Sequence, residues 1–320
     1  MANDGGDVEA LETMKAVVEV DEDGNKSVNE YLLIKTIGKG SFAKVKLCLN
    51  TKDNELYAMK VCHKAMLAKR RRGLGNALDH IWREVDILKR LHHPNVVALK
   101  QVINDPQLLH LYIVFEYLEL GPVMRDIDGT PLEMEFTRSY FYDVLQGLYY
   151  LHSRNVIHCD LKPDNLLVNA EGKVKIIDFG SSRYVGMETP ESSEGLVCHE
   201  VLEGTPAFMA PELCSSAYSP AEASKFPRDV WALGVCLYCF VTGRLPFLAD
   251  NVMEMYDKIK NDEPSFDGID DESLVSLLRG AMEKDPSQRL TLTQIQEHPW
   301  VLATATFLSS SGEQEEDNES

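Results

Sequence analysis

An α+β, two-lobed architecture is what this 320-residue sequence predicts, and three observations predict it. Strand-like runs fill residues 31–64, one helical period interrupts them before two further strands, and helical periodicity takes over beyond Gly121. The expected first lobe is a five-stranded antiparallel sheet with one main helix. The second is mainly helical.

The elements follow in order. YLLIKTIG (Tyr31–Gly38), AKVKLCLN (Ala43–Asn50) and ELYAMKVC (Glu55–Cys62) read as three strands separated by glycine or polar turns. Ile81, Val85, Leu88 and Leu91 recur at helical spacing and give the lobe its helix. Val96–Ile103 and Leu109–Phe115 complete the sheet. Tyr140, Val144, Leu148 and Leu151 then define one long helix. The apolar run VWALGVCLYCFV (Val230–Val241) is too short to span a bilayer and reads as a second, buried helix. The domain is expected over 31–302, with lobes 31–116 and 117–302.

Net charge is −19, placed unevenly. Residues 1–30 carry −7 and residues 301–320 carry −5, so the expectation is two solvated, disordered acidic tails, 1–30 and a Ser-rich 303–320. Such a surface argues against nucleic acid and anionic membrane as partners. Seven scattered cysteines, a lone CxxC inside an apolar run and no signal-like start point to free thiols and a cytoplasmic or nuclear setting.

The chemistry concentrates in HCDLKPDN (His158–Asn165) and IIDFG (Ile176–Gly180). These place two Asp, one Lys and one Asn at the spacing that phosphoryl transfer from ATP requires. Asp160 can accept the proton of an attacking hydroxyl, Lys162 can neutralise the moving γ-phosphoryl group, and Asn165 and Asp178 offer oxygen ligands to Mg2+. Either tripeptide alone reads as a turn. The pair, in order and with a strand-like run between, resembles the catalytic loop and metal-binding segment of protein kinases, and DLKPDN resembles the serine/threonine class.

That resemblance implies further roles. IGKGSFAKV, comprising Ile37, Gly38, Lys39, Gly40, Ser41, Phe42, Ala43, Lys44 and Val45, would be the glycine-rich turn over the ATP phosphates. Ala43 stands where the family has its third glycine, which leaves the phosphate-facing amides available. Lys60 would grip the α- and β-phosphates. Glu84 borders the helix's apolar face and needs a counter-charge, which Lys60 supplies in the kinase pattern. Val45, Ala58 and Leu167 would sandwich the adenine, with Glu116 and Leu118 offering hinge backbone groups and Phe115 narrowing the pocket. GTPAFMAPE (Gly204–Glu212) resembles the segment closing an activation loop, with Thr205 near Asp160 and Lys162. Glu212 and Arg289 would form a buried ion pair, and Asp229 would brace the catalytic-loop backbone.

Cys159 departs from the pattern of loop-phosphorylated kinases, which place a phosphate-binding arginine there. EGLVCHEVLE (Glu194–Glu203) contains no Ser or Thr, while Thr189, Ser192 and Ser193 lie further upstream. Both features imply a loop that is active without its own phosphate. A buried, inert Cys159 is favoured over a redox-sensitive one.

Over residues 31–302, VFEYLELGPVM, VINDPQLLHLY and LYCFVTGRLPF resemble calcium/calmodulin-dependent protein kinase kinases. That family phosphorylates the activation-loop threonine of other kinases, including AMP-activated-type kinases. The basic stretch KAMLAKRRRGLGN (Lys64–Asn76) is short and lacks the animal members' proline, and Val301–Ser320 holds no Lys or Arg. Calmodulin is therefore not an expected partner, and the chain looks more like the related plant upstream kinases. The reading is an ATP- and Mg2+-dependent serine/threonine kinase acting on other kinases. A kinase with unrelated substrates is the alternative, and a pseudokinase scaffold, suggested by Ala43 and Cys159, is the other class.

Overall fold

The computed structural model describes residues 10–40, 43–68, 77–185, 205–214 and 226–304. Expectations for Ser41, Phe42, Lys69–Arg72, Thr189, Ser192, Ser193, Glu194–Glu203 and the carboxyl-terminal segment beyond Thr304 lie outside those residues. The chain divides into two units, Met1–Glu119 and Leu120–Ser320.

The first unit is built on a sheet of eight strands where the sequence predicts five. The added strands are β1 (Leu11–Thr13), β2 (Val18–Val20) and β3 (Lys26–Val28). The anticipated ones are β4 (Tyr31–Lys39), β5 (Ala43–Asn50), β6 (Leu56–His63), β7 (Leu99–Ile103) and β8 (His110–Glu116). Their spatial order is β1-β7-β8-β6-β5-β4-β3-β2. All pairs are antiparallel except β1 with β7, which run parallel.

Residues 11–28 are therefore not a disordered tail, and the physical reason lies in what they satisfy. Val28 is fully buried in a cluster with Tyr31, Cys48, Met59, Ile103, Tyr112 and Val114. Gln101, itself buried, donates from Nε2 to Thr13 Oγ1 at 2.7 Å and accepts from the Tyr31 hydroxyl at 2.8 Å. The Asn104 amide donates to Thr13 O at 2.8 Å, and Glu12 pairs with Lys89. The acids of this segment sit at exposed positions, so its charge does not oppose burial of Val28. Between β2 and β3, Asp21 Oδ1 accepts from the Asp23 and Asn25 amides at 3.0 and 2.7 Å, and Gly24 takes φ +84°.

Removing residues 1–29 is accordingly expected to lower stability by at least about 2 kcal/mol, from the lost burial of Val28 and a buried Gln101 Nε2 left without Thr13. Urea unfolding of the shortened chain checks this. An unchanged midpoint would return the segment to the status of a tail.

Helix α1 (Lys64–Leu67) and α2 (Ala77–Lys89) complete the unit. Ile81, Val85 and Leu88 of α2 are buried as their spacing requires, while Leu91 is buried just beyond the helix end. Val96 and Val97 are buried ahead of β7 rather than within it.

In the second unit, α3 (Met134–Ser153) buries Phe141, Val144, Leu148 and Leu151. Helix α4 (Pro227–Thr242) is buried on every face from Arg228 to Phe240, which explains its unbroken apolar run. It stops at Gly243, whose φ is +67° and where a Cβ would stand 2.4 Å from Thr130 N, so only glycine fits. Two small sheets frame the catalytic segments: β9 (Gly121–Pro122), β11 (Leu166–Val168) and β12 (Val174–Ile176) form one, β10 (Val156–Ile157) and β13 (Arg183–Tyr184) the other. Helices α5 (Val252–Asn261), α6 (Glu272–Ala281) and α7 (Leu292–Gln296) follow. Among the described residues, no helix is long and apolar enough to cross a membrane. The six described cysteines are buried free thiols.

Candidate active site

In the first unit, strand register sets the geometry. Gly38 pairs with Val45 across β4 and β5, and Val45 pairs with Lys60 across β5 and β6. The turn closes through the Gly40 amide, which donates to Ala43 O at 2.9 Å. This corrects one expectation: the Gly40 N–H is engaged inside the hairpin instead of standing available for a phosphate. Ala43 begins β5. Ile37, Lys39 and Lys44 are exposed, whereas Val45 and Ala58 are half-buried.

Lys60 Nζ lies 2.9 and 2.7 Å from the two carboxylate oxygens of Glu84, donating to both. Glu84 is 3% exposed, on the α2 face that carries Ile81, Val85 and Leu88. A carboxylate at that depth requires its cation. Lys60→Met and Glu84→Gln should each lower turnover, and their effects should be strongly non-additive in a double-mutant cycle because one contact is lost in either case. Additive losses would separate the two residues. Glu116 ends β8; its Oε1 accepts from the Ala98 amide at 2.7 Å and its own amide donates to Ala98 O at 3.2 Å. Phe115 lies beside it and pairs with Ala58, and Leu118 is buried.

The second unit holds a dense network. Asp160 Oδ1 accepts from the Thr205 amide at 3.0 Å and from its hydroxyl at 3.3 Å. Oδ2 accepts from Lys162 Nζ at 2.8 Å and Asn165 Nδ2 at 3.2 Å. Lys162 also donates to Thr205 Oγ1 at 2.7 Å. Asn165 Nδ2 reaches Asp160 O at 2.8 Å, which fixes the amide and leaves Oδ1 as its atom for a cation. The β11–β12 hairpin pairs Leu166 with Ile176, and the Ile177 amide donates to Asn165 O at 2.9 Å. Asn165 therefore faces the residue directly before Asp178. Asp178 adopts φ +62° and its Oδ1 accepts from the Gly180 amide at 3.3 Å. Leu167, half-buried on β11, pairs with Lys175 and Pro122.

Beneath this layer Asp229, at the start of α4, accepts the His158 amide on Oδ2 at 2.8 Å and the Cys159 amide on Oδ1 at 2.9 Å. His152 Nε2 lies 3.0 Å from Oδ2. Burial alone would raise the Asp229 carboxyl, but the His152 hydrogen bond and nearby imidazoles outweigh it and hold it below the usual aspartate range. With a native value below the unfolded one, its contribution to stability is present above the usual range and is lost in strong acid.

Cys159 has φ +71°, and Arg228 donates from Nη2 to its carbonyl at 3.2 Å. Burial pushes its thiol up, against the pull of the Arg228 and Arg183 guanidiniums, so the nucleophilic thiolate is disfavoured.

Arg289 and Glu212 pair through two parallel hydrogen bonds of 2.9 and 2.8 Å.

Sequence reasoning assigned no role to His158, His152, Asp143 or Arg228. His158 Nε2 lies 2.9 Å from Ile177 O, tying the catalytic loop to the strand before Asp178. Asp143 Oδ2 accepts the Val174 amide at 2.9 Å. A buried polar side chain on an otherwise apolar helix face was the available signal for Asp143.

The protein kinase domain family model matches residues 31–301. Serine/threonine-protein kinase GRIK2 of Arabidopsis thaliana is 42% identical over 295 residues, covering 91% of this chain and 70% of that protein. A probable serine/threonine-protein kinase of Dictyostelium discoideum is 40% identical over 92% of this chain. The calcium/calmodulin-dependent protein kinase kinase of Caenorhabditis elegans is 38% identical over 93% of it. The chain spans 41% of the Dictyostelium protein's length and 57% of the worm protein's. The matched span takes in the residues described above in each unit, from the glycine-rich turn to Arg289. This chain belongs to the protein kinase family, and its kinase domain is of the serine/threonine class.

Proposed function

We propose that the chain transfers the γ-phosphoryl group of ATP to protein serine or threonine hydroxyls, acting upstream on the activation-loop threonine of other kinases. The observation that carries the reading is the Asp160–Lys162–Thr205 triangle. It holds a carboxylate for the incoming hydroxyl's proton next to an ammonium for the phosphoryl group's charge. Thr205 fixes both and so sets where a substrate hydroxyl is received. By the kinase resemblance, Lys60 would serve the phosphates, and Val45, Ala58, Leu167 and the backbone of Glu116 and Leu118 the adenine.

Asn165 and Asp178 would hold Mg2+. The donor chemistry fits: both offer hard oxygens, and Mg2+ binds through one or two protein ligands, completing its shell with water and phosphate. Among the described residues there is no group of three or more His, Cys, Asp or Glu that would suit a different metal. When bound, the ion neutralises phosphate charge.

Support for kinases as substrates comes from the worm relative, which is named a protein kinase kinase. Buried free thiols suit a cytoplasmic or nuclear setting. The test incubates bacterially made, phosphatase-treated chain with Mg-ATP and a panel of inactive kinases, then maps the phosphorylated residues. Activation-loop threonine is the expected site. Phosphorylation confined to other sites would remove the upstream role, and no transfer at all would remove the activity. Because Cys159 cannot bind a loop phosphate, the phosphate-free enzyme should be active; activity regained only on loop phosphorylation would reverse that expectation.

A further inference from the structure

We infer that strand β1 is a positioning strap for α2: Glu12, through Lys89, holds that helix at the rotation that brings Glu84 to Lys60. This rests on the kinase reading of Lys60 and Glu84 above, and it adds two residues that act through them.

Glu84 meets Lys60 only over a narrow range of rotation of α2 about its own axis. Side chains stand about 5–6 Å from a helix axis, so a roll of about 20° would carry the Glu84 carboxylate about 2 Å. That is enough to break bonds of 2.9 and 2.7 Å. The stripe of Ile81, Val85 and Leu88 buries the right face, but apolar contact is non-directional and sets rotation coarsely. A second directional tether sets it finely. Glu12 Oε1 pairs with Nζ of Lys89, the last residue of α2. Lys89 lies five residues beyond Glu84, which is about 140° further round the helix. The two tethers also reach different strands, β6 and β1. The order β1-β7-β8-β6 separates these by three strand spacings, about 14 Å. Held on two sides and at two places, the helix has little freedom to roll.

A tether works only if its own anchor is fixed, and β1 is fastened along its length. It pairs with β7 from Leu11 to Thr13. Beyond it, the Ala16 amide donates to Asp105 Oδ2 at 3.1 Å. Val17 exchanges two bonds with Asn29: its amide donates to Oδ1 at 2.8 Å, and its carbonyl accepts from the Asn29 amide at 2.8 Å. Lys89 is well placed too, since the last turn of a helix favours positive charge. The side chains are 53% exposed at Glu12 and 31% at Lys89, so their pair trims the position of α2 and does not hold the fold together.

The experiment measures kcat/KM for ATP in the full chain. The variants are Glu12→Lys, Lys89→Glu and the two combined, with Glu19→Lys on exposed β2 as a control of equal charge change. Thermal unfolding confirms each fold. Glu12→Lys should lower kcat/KM about three- to fivefold, the upper end for an exposed pair, and the loss should shrink as salt rises. The combined swap restores the attraction and should recover most of the loss, while the control should not move. In a Glu84→Gln background, Glu12→Lys should have little further effect, because the contact it positions is already gone. An unchanged kcat/KM in Glu12→Lys would overturn the strap. So would a loss that keeps its full size beside Glu84→Gln, since the damage would then act elsewhere than on that contact. Wild-type activity in Glu84→Gln alone would instead remove the reading of Lys60 and Glu84, and the strap with it.

Discussion

Asp160→Asn is expected to cut turnover about 10²–10⁴-fold, the range for losing a positioned general base. The effect should fall on kcat, with KM for ATP little changed, because Asp160 bonds to Thr205, Lys162 and Asn165 rather than to any group assigned to the nucleotide's base. An amide keeps one acceptor oxygen for the Thr205 N–H. It sets an N–H2 against either Lys162 Nζ or Asn165 Nδ2, both donors, so part of the loss is misplacement of Lys162. Asp178→Asn should be comparably severe through a different loss, that of a charged oxygen for the metal. The two act on one transition state, and the double variant should fall well short of the product of the single effects. Steady-state kinetics with saturating substrate decides it: an Asp160→Asn enzyme within threefold of wild type would displace Asp160 from the role of base.

Much of this site was legible because its residues are close in sequence and chemically uncommon in combination. Asp160, Lys162 and Asn165 fall within six residues, and Asp178 is brought to them by one hairpin. Lys60 and Glu84 are 24 residues apart, yet the inward placement of Glu84 among Ile81, Val85 and Leu88 announced the need for a cation. Long-range support was harder to read. Nothing local distinguishes His152, and its meeting with Asp229 spans 77 residues. The amino-terminal strands were hidden differently. Each is three residues long, and their surroundings are so acidic that charge outweighed pattern. A signal was present even so: VEV and KSV flank DEDGN, whose Asp-Gly step is a hairpin cue. Gly40 shows the opposite limit. Its place in the turn was readable from the sequence, but the partner of its amide depends on closure of the turn onto Ala43.

The largest expected loss of stability follows Arg289→Ala. Arg289 is completely buried at its side chain and Glu212 is 13% exposed there, so the pair is held largely away from water. Besides two bonds to Glu212, the guanidinium donates to Glu283 O at 2.8 Å, Pro227 O at 2.9 Å and Lys284 O at 3.2 Å. It also lies over the Trp231 ring at 5.2 Å. Truncation therefore strands a carboxylate, frees three carbonyls and opens a void beside Trp231 in one step. Removing one partner of a buried pair costs about 3–5 kcal/mol. For a unit of this size that corresponds to a drop in Tm of roughly 10 °C or more. The cost measures the charge left behind more than the worth of the pair. A double variant, Arg289→Met with Glu212→Leu, should therefore recover much of the loss by removing both charges and refilling the space. Guanidinium unfolding of the three proteins tests this directly. If Arg289→Ala lies within about 1 kcal/mol of wild type, the pair behaves as a solvent-screened surface bridge and the burial argument fails. If instead the double variant is worse than Arg289→Ala, the three carbonyl bonds rather than the ion pair are what anchor the Glu212 turn to the start of α4.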